Sequence, residues 1–264
     1  MSKTKLTQLY QNSSSINLIN ESLKAPYAKI HLQGVVGSGA SFVVQALQDQ
    51  SKQPWLLVLP DKESAAYHLN DLELLCQNTQ VLFYPSSYRR PYEIEDTDNA
   101  NVLLRAEVLN RINSRKKPAI IVSYPDALFE KVVTKKELDK NTLKVAVGDK
   151  ISIEFINEVL FEYEFKRVDF ITEPGEFSVR GGIIDVFSFS NDNPYRIEFF
   201  GNEVDSIRSF DVETQLSIER LKKITIIPNV ENKFFQENRE SFLDYIDNKT
   251  VVFFKNIVFF FYKL

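Results

Sequence analysis

Apolar and polar positions follow two different rhythms along the chain. Between Tyr27 and Asp126, short apolar runs alternate with stretches of helical spacing, the pattern of strand-helix units that build a parallel sheet. The strand candidates are Ile30–Leu32, Trp55–Leu59, Val81–Tyr84 and Ala119–Val122, and the helix candidates are Ser41–Gln50, Glu63–Gln77 and Asn99–Asn113. In the second helix Ala66, Leu69, Leu72 and Cys76 recur at helical spacing, which predicts a core position for Cys76 rather than a nucleophile. After Asn141 one helical stretch, Ile153–Tyr163, is followed by strand-like segments at short spacing: Gly181–Ser190, Tyr195–Phe200, Val204–Phe210 and Ile224–Ile227. The turn-forming Asn191-Asp192-Asn193-Pro194 and Gly201-Asn202-Glu203 join them. These segments predict a second, smaller α+β domain with a mixed or antiparallel sheet. Beyond Pro228 the polar stretch Asn229–Asn238 reads as a connection, leading to a helix and the apolar run Thr250–Tyr262.

Composition narrows the picture. With 264 residues and 44% hydrophobic content, the chain is long enough for about two domains with real cores. Its 32 basic and 36 acidic side chains nearly cancel, so no global field draws nucleic acid to the whole surface, and any such contact is local. The single cysteine, Cys76, excludes an internal disulfide and a cysteine metal cluster. The start Met1-Ser2-Lys3-Thr4-Lys5 lacks the apolar core of a signal peptide, so the cytoplasm is the expected compartment. Lys255-Asn256 breaks the run Thr250–Tyr262, which is too short to cross a bilayer. No membrane partner is expected. The chain stops at Leu264 without turn, cap or polar tail, the ending expected of a fragment of a longer protein.

The segment Gly34-Val35-Val36-Gly37-Ser38-Gly39-Ala40-Ser41 lies between a predicted strand and a predicted helix. It matches the phosphate-loop pattern G-x-x-x-x-G-K-[ST] everywhere except at Ala40. Its amides and helix amino end retain the capacity to cradle an anion. The ammonium that reaches the β- and γ-phosphates and offsets charge in phosphoryl transfer is missing. Weak or absent ATP binding and no hydrolysis are therefore expected of Gly34, Gly37, Gly39, Ala40 and Ser41. The alternative is a glycine-rich connection with no ligand, and the residues alone leave both readings open.

In an extended Tyr195–Phe200, Tyr195, Ile197 and Phe199 point to one face while Arg196, Glu198 and Phe200 point to the other. The first set belongs to the core. The second puts a phenylalanine on a polar face beside an arginine, a composition enriched at binding hot spots. Arg180, ending the preceding strand-like segment before Gly181-Gly182, is placed on the same sheet. Two arginines and an aromatic would form a patch for an acidic, partly apolar partner. In the alternative, Phe200 packs under the Gly201 turn and both arginines are solvated or paired with Glu198 and Asp185. Asp185, Glu198 and Asp205 have no histidine, cysteine or metal-ligand partner at useful spacing and are read as surface charges. His31 and His68 are read as structural. No catalytic residue and no metal site is expected.

In order and spacing, Gly34–Ser41 resembles the phosphate loop of the excision-repair helicase UvrB. Phe177-Ser178-Val179-Arg180-Gly181-Gly182 and Arg196-Ile197-Glu198-Phe199-Phe200-Gly201-Asn202-Glu203-Val204 resemble the UvrB domain that docks on UvrA. Bacterial transcription-repair coupling factors carry this module with a degenerate loop, and from about Tyr27 to Pro228 the chain resembles the amino-terminal part of that family. The resemblance implies a RecA-like, phosphate-loop α/β domain with a parallel sheet over residues 1–145. An inserted α+β domain of the UvrA-binding type would span 146–228. A linker and the start of a segment returning to the first domain would span 229–264, with Val251–Phe254 rejoining the first sheet and the chain truncated before that domain is complete.

The implied function is non-catalytic: binding UvrA to bring nucleotide excision repair to stalled RNA polymerase. The positions carried into the UvrA contact are Arg180, Arg196 and Phe200. RNA polymerase and DNA would be held by regions of the whole protein outside this chain, an ATP-dependent DNA translocase whose motor uses ATP and magnesium. The chain itself is expected to carry no cofactor. In UvrB an aromatic hairpin that grips damaged DNA precedes the helix matching Asn99–Asn113, whereas Ser86–Asp98 is too short to hold it. Tyr88, Arg89, Arg90 and Tyr92 are of types that stack on bases or bind phosphates. Glu93, Glu95, Asp96 and Asp98 repel a phosphate backbone, so a solvated loop is expected. The main rival is a truncated UvrB-like ATP-dependent DNA helicase, against which Ala40 and the missing hairpin both count. A second rival is a DNA-binding module using Arg105, Arg111, Arg115, Lys116 and Lys117, of which Arg111–Lys117 is a short run at a helix end, where cations serve as a solvated face and dipole partner.

Overall fold

Among the described residues, strand pairing separates the two rhythms of the sequence into a four-stranded and a six-stranded sheet, with two further two-stranded ribbons. The computed structural model describes residues 3–88, 98–113, 118–189, 191–231 and 239–262. The chain divides into two units, one of Met1–Pro85, Lys116–Phe129 and Ile246–Leu264, the other of Ser86–Arg115 and Glu130–Tyr245.

The first unit contains α1 (Lys3–Gln11), α2 (Ser14–Ser22), α3 (Gly39–Ser51), β1 (Trp55–Val58), α4 (Lys62–Leu75), β2 (Val81–Tyr84), β3 (Ile120–Ser123), α6 (Pro125–Phe129), β14 (Val251–Phe254) and α10 (Ile257–Tyr262). Its four strands form a parallel sheet in the order β14-β1-β3-β2, with Trp55 opposite both Val251 and Ile120. All four residues of β1 and of β3 are buried, which is why both read as unbroken apolar runs rather than as alternation. The returning strand Val251–Phe254 therefore lies beside β1. Ile30–Leu32, expected as a strand, is irregular chain with Ile30 exposed. Both sides of β1 are already taken, by β14 and β3, and a three-residue run with His31 at its centre buries too little to hold an outer edge. In α4, Asp61 caps the helix by accepting from the Ser64 amide at 2.7 Å. The inward stripe is Ala65, His68 and Leu72, one residue out of phase with the expected Ala66 and Leu69, and Cys76 is only half-buried.

The second unit contains α5 (Asn99–Asn113), β4 (Val132–Val133), α7 (Lys135–Lys140), β5 (Leu143–Ala146), α8 (Ile153–Glu162), β6 (Lys166–Arg167), β7 (Glu176–Arg180), β8 (Ile183–Val186), β9 (Tyr195–Phe200), β10 (Glu203–Phe210), β11 (Ser217–Leu221), β12 (Lys223–Ile226), β13 (Arg239–Glu240) and α9 (Phe242–Tyr245). Six strands form a sheet in the order β11-β10-β9-β8-β7-β6, antiparallel except for the β6–β7 pair. One face buries Phe177, Ile184, Val186, Ile197, Val204 and Ile207. Helix α8 covers it, with Ser152 capping the helix and Phe161 edge-on to Phe177 at 5.2 Å.

Helix α5 lies in this unit, held by Arg105. That side chain is fully buried, with Nε 2.7 Å from Glu231 and Nη1 3.2 Å from Glu130. Glu231 also accepts from Arg239 at 3.0 Å, and Glu130 from the Ser87 amide at 3.1 Å. Arg105 is thus a structural ion-pair residue and not a nucleic-acid contact. Arg111 is half-buried, and Arg115, Lys116 and Lys117 lie outside the described residues, as do Arg89, Arg90, Tyr92 and part of Asn229–Asn238. Among the described residues no helix is long and apolar enough to cross a membrane, and no cluster of acidic, histidine or cysteine side chains could hold a metal ion.

Candidate functional site

Directly opposed residues of an antiparallel pair share a face, so the register assembles the outer face of the six-stranded sheet. Asp185 is opposite Ser178 on one side and Arg196 on the other, and Arg196 is in turn opposite Arg208. Two positions along, and so on the same face, Arg180 is opposite Ile183, and Ile183 is opposite Glu198. Arg180, Asp185, Arg196, Glu198, Phe200 and Arg208 therefore project from the side away from the apolar core.

Asp185 organises this face. Its carboxylate is 1% exposed and accepts from Arg196 Nε at 2.7 Å and Nη2 at 2.9 Å, with Arg180 Nη2 donating to the same carboxylate. The fork of Arg196 is matched bidentately, the strongest geometry available to an arginine. Arg196 also donates to Gln215 at 3.3 Å and lies over the Phe210 ring, 4.3 Å from its centroid. The Asp185 hydrogen bond raises its pKa above the ordinary arginine value, against the opposing effect of burial. Arg180 is more open, its side chain 43% exposed and 5.3 Å from the Phe170 ring centroid. Glu198 pairs with Arg208 and accepts from Ser206. Phe200, at the end of β9 before the hairpin residue Gly201 (φ +61°), is 84% exposed.

The structure thus brings Arg180, Arg196 and Phe200 to one face. Both arginines pair with Asp185, which the alternative sequence reading also allowed. Phe200 does not pack under the Gly201 turn. Asp185 and Glu198 are arginine partners and Asp205 is exposed.

The glycine loop in the other unit is engaged internally. Gly34 and Gly37 adopt φ +77° and +52°, the left-handed region that favours glycine. Gly39 opens α3, and Ala40 and Ser41 are buried. Ser41 Oγ is 2.8 Å from His68 Nδ1 and 3.2 Å from Asp71 Oδ2, while His68 Nε2 is 2.8 Å from Lys255 Nζ. An ammonium only donates, so Nε2 accepts, Nδ1–H donates to Ser41, and the Ser41 hydroxyl donates to Asp71. Burial first, and then the Lys255 charge, lower the His68 pKa, against the opposing pull of Asp71. His68 is structural, as read, but through partners at residues 41 and 255 that no local pattern announces. His31 is exposed.

An α+β unit with an arginine-organised outer sheet face and a projecting phenylalanine has the make-up of a protein-interaction module, and the UvrB interaction domain family matches residues 143–232, from β5 through β12. The transcription-repair-coupling factor of Bacillus subtilis (strain 168) is 33% identical over 236 residues, covering 89% of this chain and 20% of that protein. That of Escherichia coli (strain K12) is 25% identical over 194 residues, covering 74% and 17%. The UvrABC system protein B of Pseudothermotoga lettingae is 25% identical over 248 residues, covering 89% and 38%. Residues 143–232 are a UvrB interaction domain, and over most of its length the chain is similar to transcription-repair coupling factors, as a UvrB-homology module. It spans about a fifth of the length of the Bacillus subtilis protein.

Proposed function

We propose that this module binds UvrA through Arg180, Arg196 and Phe200, recruits nucleotide excision repair to stalled RNA polymerase, and does no chemistry of its own. The observation that carries the reading is the fixed pair of guanidiniums on one buried carboxylate beside an 84% exposed phenylalanine. A pre-oriented arginine loses little freedom on binding and presents its remaining N–H groups to a partner carboxylate, and a projecting aromatic is the usual anchor of an interface.

The glycine loop is a degenerate phosphate loop in this reading. The hydroxyl expected on magnesium in an active loop is used inside the unit by His68 and Asp71, and Ala40 supplies no charge. Residues 1–145 with the returning segment after 229 serve as a RecA-like scaffold, and residues 146–228 carry the recruitment surface. RNA polymerase, DNA, ATP and magnesium belong to parts of the whole protein outside this chain, which acts in the cytoplasm. Calorimetric titration of the chain into purified UvrA tests the proposal. Saturable binding that weakens as salt rises is expected. Absence of heat and of co-elution at concentrations well above the micromolar range would overturn it.

A further inference from the structure

The outer face does not end at Arg180. Beside β6 and β7 the surface folds into an open groove of about 470 Å³, lined by Arg167, Asp169, Phe170, Ser178 and Arg180 among others. Its floor is fixed: Ser178 is buried, and its hydroxyl donates to the Asp169 carbonyl at 3.0 Å, tying the chain after β6 to β7. Its walls are open, with Lys166 and Arg167 exposed on the edge strand and Phe170 65% exposed. Arg180 belongs to both places, sharing Asp185 with Arg196 and touching the Phe170 ring. On its other side, the Phe199 amide donates to the Gly182 carbonyl at 2.9 Å, so the Phe200 end of β9 lies beside the turn that follows Arg180. Arg180 therefore touches the exposed Phe170 ring, and the turn that follows it borders the end of β9 that carries the exposed Phe200.

We infer that the partner surface continues from the arginine face into this groove, where Arg167, Phe170 and Arg180 receive an acidic residue and its apolar neighbour from the same partner. The inference rests on the UvrA reading and deepens it. Charge favours that occupant. Among the residues that line the groove, Arg167 and Arg180 face a single carboxylate, that of Asp169, so the lining carries one more positive than negative charge. Shape favours it as well, since a phenylalanine stacked by a guanidinium over an open cavity offers apolar contact beside a charged fork. Positive residues on an edge strand also protect against unwanted strand pairing, but that role needs neither a groove nor an exposed Phe170.

The test is UvrA affinity of the whole chain carrying Arg167→Ala, Phe170→Ala or Asp169→Asn, beside Arg180→Ala and Arg196→Ala, with a thermal melt for each. Arg167→Ala and Phe170→Ala should each weaken binding by about tenfold or more without moving the melt, because both side chains are exposed. Asp169→Asn should tighten binding, since it removes the one carboxylate that would repel an acidic guest. Unchanged affinity in these three variants, with losses in Arg180→Ala and Arg196→Ala, would eliminate the groove and leave the UvrA reading intact. Unchanged affinity in all five would sink both.

Discussion

Asp185→Asn isolates the element that organises the candidate surface. The substitution keeps shape and volume, removes the charge, and turns an NH₂ group toward guanidiniums that cannot accept a hydrogen bond. Breaking a buried ion pair by removing one partner costs about 3–5 kcal/mol, because the remaining charge is left uncompensated. The lower end applies. Arg180, with a 43% exposed side chain, can turn into solvent, and Arg196 keeps Gln215 and the Phe210 ring. At about 3 kcal/mol, and roughly 2–4 °C per kcal/mol for a chain of this size, the melt should fall by roughly 6–12 °C. Circular dichroism at neutral pH measures it, with Arg180→Ala as a control that costs about 1 kcal/mol or less. Affinity for UvrA should fall in the same variant although both arginines remain. A melt within about 0.5 kcal/mol of wild type would refute the reasoning, because Asp185 would then not anchor the guanidiniums.

Three further outcomes are expected. His68 is held neutral in the fold by burial and Lys255, so the stability it contributes is complete above an unfolded value near 6.5 and is lost as pH falls from there toward the lower folded pKa. Urea unfolding between about pH 8 and 5 should show this slope and His68→Gln should flatten it; equal slopes would contradict the assignment. Arg105→Leu should cost about 3–5 kcal/mol in denaturant unfolding by stranding the Glu231 and Glu130 carboxylates, and a change below about 1 kcal/mol would exclude the network as the tie holding α5. Fluorescent-nucleotide titration should find weak or no ATP binding and no magnesium-dependent turnover, and Ala40→Lys should lower the melt by burying an ammonium where Ala40 is 3% exposed. Turnover in the wild type would revive the helicase reading.

What the sequence disclosed followed from periodicity. The fully buried β1 and β3 stood out as continuous apolar runs, and the alternation of Tyr195–Phe200 placed Arg196 and Phe200 on the outer face. Ile30–Leu32 misled because two apolar residues around His31 signal a strand only if a sheet has room for one, and β14, from the far end of the chain, occupies the place beside β1. The inward stripe of α4 was displaced because a histidine served by Ser41 and Lys255 sits where an apolar residue was sought. Arg105 reads as one cation of the rival DNA-binding surface until Glu231, distant in sequence, folds against it. The groove beside Phe170 was illegible for the same reason: its walls come from two strands whose contact is set by the sheet, and no spacing along the chain records it.

The central claim is that Arg180, Arg196 and Phe200 act on binding and not on folding. Side-by-side measurement of UvrA affinity and melting temperature for Arg180→Ala, Arg196→Ala and Phe200→Ala tests it most directly. Phe200→Ala should lose at least about 2 kcal/mol of binding energy as an exposed anchor, and its melt should stay within about 0.5 kcal/mol of wild type because so little of the ring is buried. Both arginine variants should weaken binding, Arg196→Ala with some loss of stability from the stranded Asp185 carboxylate. Wild-type affinity in all three variants would contradict the account, and a melting drop equivalent to about 3–5 kcal/mol in Phe200→Ala would assign that ring to the core instead.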